Sequence, residues 1–317
     1  LDALLEIAAQ LPDREALTLA DSLAASYRAG RLPFAKLLAA TEVLAQHPNR
    51  QVAISLGYEL VEIGNAWLDD SGRAAIAAML REVYTPRLEE VGFVPLAGAY
   101  AAESSERRLL RRSLVALLAL RARDPQLRTL LAEAAKSSLS DAEALDPEVR
   151  DIAWAVGVQD LPPEFSRKLR ERLLASEDAA ERTDAALALG QAERPADAAA
   201  SLALALDPGI RSGELFRLVK QQLDGAATRD AAWTWFAANF DAISNRLPGF
   251  AQAAIVSLPG SFCDAAHRRE VETVLAPAVA RTGLGTLELE RTLEKIDLCM
   301  AQRAELAPAA AAALARE

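Results

Sequence analysis

A chain of 317 residues is long enough for one elongated helical domain or two compact ones. Hydrophobic residues make up 51% of it and aromatics only 5%, so the apolar content is mostly Ala and Leu, the strongest helix formers. With a formal net charge of −10 and arginines interspersed among acids, the chain lacks the basic patch of a nucleic-acid binder, and no apolar run reaches the roughly 18 residues of a membrane span.

The chain opens at Leu1 already inside a helical pattern, as expected of a segment cut from a longer protein, and no compartment can be read from it. Gly30 closes one helix and Pro33 opens the next. Phe34, Leu37, Leu38, Thr41 and Ala45 follow the three-four spacing of a helix, as do Ala53, Leu56, Leu60, Ile63 and Trp67. Residues 92–106, richer in Gly and small side chains, are expected to be a long loop or linker and the break between two lobes of a single domain over 1–317. Asp124-Pro125, Asp146-Pro147 and Asp207-Pro208 each set a capping carboxylate before a proline suited to a first helical turn, so each predicts a helix start. Leu161-Pro162-Pro163 and Leu247-Pro248-Gly249 mark corners. Trp233, Phe236, Phe240 and Ile243 predict one helix, Val271, Val274, Leu275 and Ala278 a second, and Leu289, Leu293, Ile296 and Met300 a third. Gly283-Leu284-Gly285 reads as the turn between the last two. The expected fold is all-α: an α-solenoid of HEAT/armadillo-like antiparallel helix hairpins forming a concave bowl, with degenerate repeats.

The chemistry of a hydrolase is hard to assemble from these residues. A zinc peptidase needs two histidines one helical turn apart and a carboxylate to activate water, but His47 and His267 stand alone. Each is expected to be a structural histidine, and no metal site is predicted. Cys263 and Cys299 allow one optional disulfide at most; Cys263 and His267 are close enough in sequence to touch on a helix, but no motif supports a thiol–imidazole catalyst. No Gly-x-Ser-x-Gly elbow or phosphate-binding loop is present. Glu288, Glu290 and Glu294 read as a solvated helix face.

The segment Trp233-Thr-Trp-Phe-Ala-Ala-Asn239-Phe-Asp241-Ala-Ile-Ser-Asn-Arg246 resembles the "W-x-F-x-x-N-W-D-x-L-x-x-R" stretch in the helical C-terminal domain of zinc aminopeptidases of the puromycin-sensitive and endoplasmic-reticulum type. Glu270-Val271 through Leu275 is similar to that family's "E-V-x-x-F-F", and Leu287 through Ile296 to its "R-x-L-x-Q-x-L-E-x-I". The stretch from Arg14 to Leu32 resembles "R-x-x-L-x-x-D-x-x-A-L-x-x-x-G-x-L" near the start of the same domain. Departures include Phe240 in place of Trp and Leu275-Ala276 in place of paired Phe.

The resemblance implies a non-catalytic substrate-chamber domain that encloses the active site of a metalloaminopeptidase and selects peptides. The zinc and the Gly-x-Met-Glu-Asn motif would then belong to an upstream catalytic domain, which is the expected partner together with peptide substrates. Neither Met79 nor Met300 precedes Glu-Asn. Arg246, Arg269 and Arg291 are the candidates for binding peptide carboxylates, because a planar guanidinium pairs with a carboxylate through two hydrogen bonds; the competing reading makes them helix-surface ion pairs. Trp233, Trp235, Phe236 and Phe240 either line a groove or, as expected of aromatics at helical spacing, form core. Asn239 and Asp241 are expected to cap or bridge helices. The rival functional class is a HEAT-like scaffold that binds a protein helix or peptide without any link to proteolysis. A third, an autonomous helical-bundle enzyme, would need distant carboxylates to converge on two metals.

Overall fold

The computed structural model describes residues 2–315, and among them every regular element is helical. The chain divides into two compact units, residues 1–129 with 301–317 and residues 130–300. The division therefore falls at 129/130 and not at 92–106. That stretch is a loop, as expected, but it lies inside the first unit.

The first unit is built on α1 (Asp2–Ile7), α2 (Asp13–Arg28), α3 (Phe34–Leu44), α4 (Arg50–Trp67), α5 (Asp70–Val91) and α6 (Ser105–Ala116). Helix α4 is its centre, packing on α2, α3, α5 and α6. It starts where the Asn49 side chain accepts the backbone N–H groups of Gln51 and Val52, which satisfies donors that a helix start leaves free. Two of its glycines admit neighbours: a Cβ on Gly57 would lie 2.8 Å from the Tyr84 hydroxyl, which instead donates to the Ala53 carbonyl at 2.8 Å. Burial pushes the Tyr84 hydroxyl far above the ordinary tyrosine range, so this donor stays protonated. The loop after α5 is pinned by Arg111 of α6, which donates to the carbonyls of Val91 and Gly92 and to Glu103, and lies 3.4 Å from the Tyr100 ring centroid. That clamp, with α5 packed directly on α6, explains why a Gly-rich stretch does not separate two lobes.

Helix α6 ends in a π-turn over Leu117–Arg121, and α7 (Pro125–Ser138) follows, started by Asp124, which accepts the Leu127 N–H at 2.8 Å. The second unit continues with α8 (Arg150–Asp160), α9 (Pro163–Ala175), α10 (Ala179–Leu189), α11 (Pro195–Leu204), α12 (Ser212–Asp224), α13 (Arg229–Asn245), α14 (Gly249–Ile255) and α15 (Ala265–Thr282), and with the first half of α16 (Thr286–Leu314). Helices α8, α10 and α12 pack side by side in one layer, and α9, α11 and α13 in a second. Small residues set the spacing between them. A Cβ on Gly157 of α8 would meet the buried Phe165 ring at 2.7 Å, so Gly157→Ala is expected to cost about 1–3 kcal/mol by overpacking despite alanine's better helix propensity. Equilibrium denaturation checks this; a stabilised variant would show that the Phe165 ring can move aside.

The Asp146-Pro147 pair starts a short 3-10 turn that runs into α8. Asp207-Pro208 does not start a helix as expected. The Asp207 carboxylate accepts the Gly209 N–H at 2.7 Å and its carbonyl accepts the Ile210 N–H, closing a turn, and α12 begins only at Ser212. The carbonyls of that turn are held by arginines from other helices.

Candidate functional site

The sequence candidates cluster between residues 229 and 300, all within the second unit. Helix α13 places Trp233, Phe236 and Phe240 on one face, and all three are buried. Their rings pack at 5.5–6.0 Å centroid separations, with Phe262 edge-on to Trp233. These aromatics are core and do not line a groove. The Trp233 indole donates to Glu270 of α15 at 3.0 Å, which ties the two helices. Trp235 is half-buried, and its carbonyl accepts from the Asn239 side chain. Asp241 pairs with Arg281 at 2.5 Å, so it bridges α13 to α15.

The three candidate arginines sit on three different helices and differ in what they can do. Arg246 ends α13, and its guanidinium donates to the carbonyls of Ala205, Asp207 and Ile210 at 2.7–2.9 Å. These are carbonyls that the end of α11 and the turn after it leave without helical partners. Arg246 is therefore a structural anchor, and its donors are not offered to a ligand. Arg269 on α15 and Arg291 on α16 are exposed, and neither is bonded to another described side chain.

Neither histidine fits a zinc ligand. His47 is buried, with Nδ1 accepting the Asn49 N–H at 3.0 Å and Nε2 facing the Leu11 carbonyl at 3.0 Å; this pattern assigns the proton to Nε2. His267 lies flat on Phe262, 3.9 Å between centroids, with Nδ1 2.7 Å from Asp264. Cys263 and Cys299 form a disulfide, so Cys263 carries no thiol for His267 to activate. Among the described residues no group of His, Cys, Asp and Glu could hold a metal ion. The residues present therefore do not fit the zinc that the family resemblance implies for the parent enzyme.

Sequence reading missed a set of arginines, Arg182 buried and Arg172 and Arg194 half-buried, that hold the helix ends. Arg182 is 4% exposed and pairs through two 2.7 Å hydrogen bonds with Glu214, also 4% exposed. It also donates to the carbonyls of Leu173, Ser176 and Gly209. Burial pushes the Glu214 carboxyl up, but the Arg182 hydrogen bonds, the Arg211 N–H and the charges of both arginines outweigh it and hold the group below the usual range. Arg194 binds the carbonyls of Val158, Gln159 and Leu161 while pairing with Asp197, and Arg172 binds those of Ser138 and Leu139 while pairing with Glu181. Glutamines add rungs at a similar interval: Gln159 donates to the Gln191 carbonyl, Gln191 to the Gln221 side chain, and Gln222 to the carbonyls of Gly190 and Ala192. The Arg150–Asp184 and Arg182–Glu214 pairs join positions 34 and 32 residues apart. That interval, one hairpin of the stack, was the available sequence signal.

The geometry presents a helix scaffold held together by arginine anchors at the helix ends. The model of the ERAP1-like C-terminal domain family matches residues 1–298. No curated protein matches the chain.

Proposed function

Since the chain belongs to the family of ERAP1-like C-terminal domains, we propose that it is the non-catalytic substrate-chamber domain of a zinc aminopeptidase. It covers the active site of a catalytic domain carried elsewhere in a longer protein, and it selects which peptides are trimmed from their N-terminus. The family match along residues 1–298 is the observation that carries this reading. Zinc would be held by that catalytic domain and would supply Lewis-acid chemistry there. The helical domain contributes by enclosing the peptide and excluding bulk water. On this reading the face of the helical domain turned toward the catalytic domain is the surface that meets the substrate.

On this reading Arg269 and Arg291, exposed and without a described side-chain partner, attract acidic groups of long peptides. Replacing both with glutamate is expected to raise KM for an acidic decapeptide about 3–10-fold, and to leave hydrolysis of a single aminoacyl reporter unchanged. Equal effects on both substrates would remove these arginines from the chamber wall.

The central test compares the full gene product with the same product lacking residues 1–317, using aminoacyl reporters and peptides of increasing length. Retained reporter activity with a lost or altered length preference supports the chamber role. The two-layer stack α8 to α13 favours a second reading, a scaffold for a protein helix or extended peptide. A full-length product that is inert toward every peptide would favour that reading.

A further inference from the structure

The α15–α16 hairpin is held differently from the rest of its unit. In the stack from α8 to α13, Arg172, Arg182, Arg194 and Arg246 anchor helix-end carbonyls, and glutamine rungs join neighbouring hairpins. Among the described residues no arginine of α15, or of α16 up to residue 300, makes such an anchor. Arg268 pairs at the surface with Glu272 and Asp297, and Arg281 pairs with Asp241.

Besides the surface pair Arg268–Asp297, which joins α15 to α16, the hairpin is closed at both ends. One end is the turn through Gly283 and Gly285, both with positive φ (68° and 86°), a conformation that favours glycine. The other end is the Cys263–Cys299 disulfide, which joins residues 36 apart with Cα atoms 5.3 Å from each other. All of α15 and the first half of α16 lie in the closed loop between them. Within that loop Pro277 removes a backbone donor from α15, and Leu284, Leu287 and Leu298 remain exposed, at 37%, 50% and 56%. Cys263 is buried and Cys299 half-buried, so Cys299 is the more exposed half of the bridge.

We propose that the Cys263–Cys299 disulfide is a redox latch that keeps the α15–α16 hairpin closed on the rest of the second unit, and that a dithiol reductant opens it. The thiolate of the reductant attacks Sγ of Cys299, and Cys263 leaves as a thiolate that takes up a proton. The second thiol of the reductant then attacks the mixed disulfide, releasing the Cys299 thiol. Two electrons and two protons pass to the protein, and the reductant departs as its own cyclic disulfide. The latch concerns the fold of this chain and stands whether or not the chamber reading holds.

Hydrogen–deuterium exchange resolved by peptide tests it on the full chain, oxidised with glutathione disulfide, reduced with dithiothreitol, and as the Cys263→Ser/Cys299→Ser double variant. Amide protection over residues 265–300 is expected to fall on the order of a hundredfold on reduction, to stay unchanged over 150–245, and to return on reoxidation. The double variant should match the reduced chain. Unchanged exchange over 265–300 overturns the proposal. So does loss of protection throughout 150–300, which would make the disulfide a requirement of the whole unit. Two maleimide-reactive thiols in the oxidised, denatured chain would also overturn it, because the bridge would not have formed.

Discussion

Replacing Glu214 by alanine is expected to destabilise the second unit by about 3–5 kcal/mol. The variant leaves the Arg182 guanidinium in a site where it is 4% exposed, with three carbonyls for company and no counter-charge. Removing both charges with Arg182→Met/Glu214→Leu is expected to recover only part of the loss, because the carbonyls of Leu173, Ser176 and Gly209 then lose their donor. The same pair carries a pH dependence. The folded-state pKa of Glu214 is depressed, so its contribution is fully present above the unfolded carboxylate value, near 4.3 as an approximate reference, and is lost as pH falls through the folded value. Acid titration of stability should therefore show a slope below about pH 4.5 that Glu214→Gln flattens. Urea denaturation at a series of pH values measures both effects, and a Glu214→Ala loss under 1 kcal/mol would mean that solvent reaches the site.

Trp154→Ala is expected to cost about 3–5 kcal/mol, with a lower denaturation midpoint and an unchanged m-value. Trp154 of α8 is among the largest fully buried side chains, and its indole donates to the Ser138 hydroxyl of α7 at 2.9 Å. The guanidinium carbons of Arg150 and Arg172 lie 5.3 and 5.6 Å from its ring centroid, so the ring also supports two of the arginine anchors. Truncation thus opens a cavity and unseats charged groups together. Trp154→Phe keeps most of the ring volume and loses the N–H, and should cost about 1–2 kcal/mol. Near-equal losses for the two variants would place the energy in the hydrogen bond and not in the packing.

Much of the helix pattern was legible because helix propensity and three-four periodicity are local properties. Thr41 and Trp67 lie on the buried faces where the periodicity put them, and Gly30 and Pro33 bound the turn between α2 and α3. Trp233, Phe236 and Phe240 of α13 proved to be core, the more ordinary reading of their spacing, while Trp235 is half-buried, and Asp241 bridges helices as its type and position suggested. Asp207-Pro208 misled because an Asp before Pro satisfies a β-turn as well as a helix start. Local chemistry alone does not choose between them; at this corner Arg182 and Arg246 bind the turn's carbonyls from other helices.

The sequence by itself determined that this chain is helical and where several of its helices begin, and its short motifs pointed to the family whose model spans residues 1–298. It also limited the cysteines to a single bridge. The tertiary structure alone decided that Arg246 is an anchor while Arg269 and Arg291 are exposed, that the division between units falls at 129/130, and that Cys263 and Cys299 close the last hairpin. The reason is physical. An arginine's role depends on which carbonyls or carboxylates approach its guanidinium, and those come from residues about one hairpin away, a distance over which propensity and periodicity carry no information.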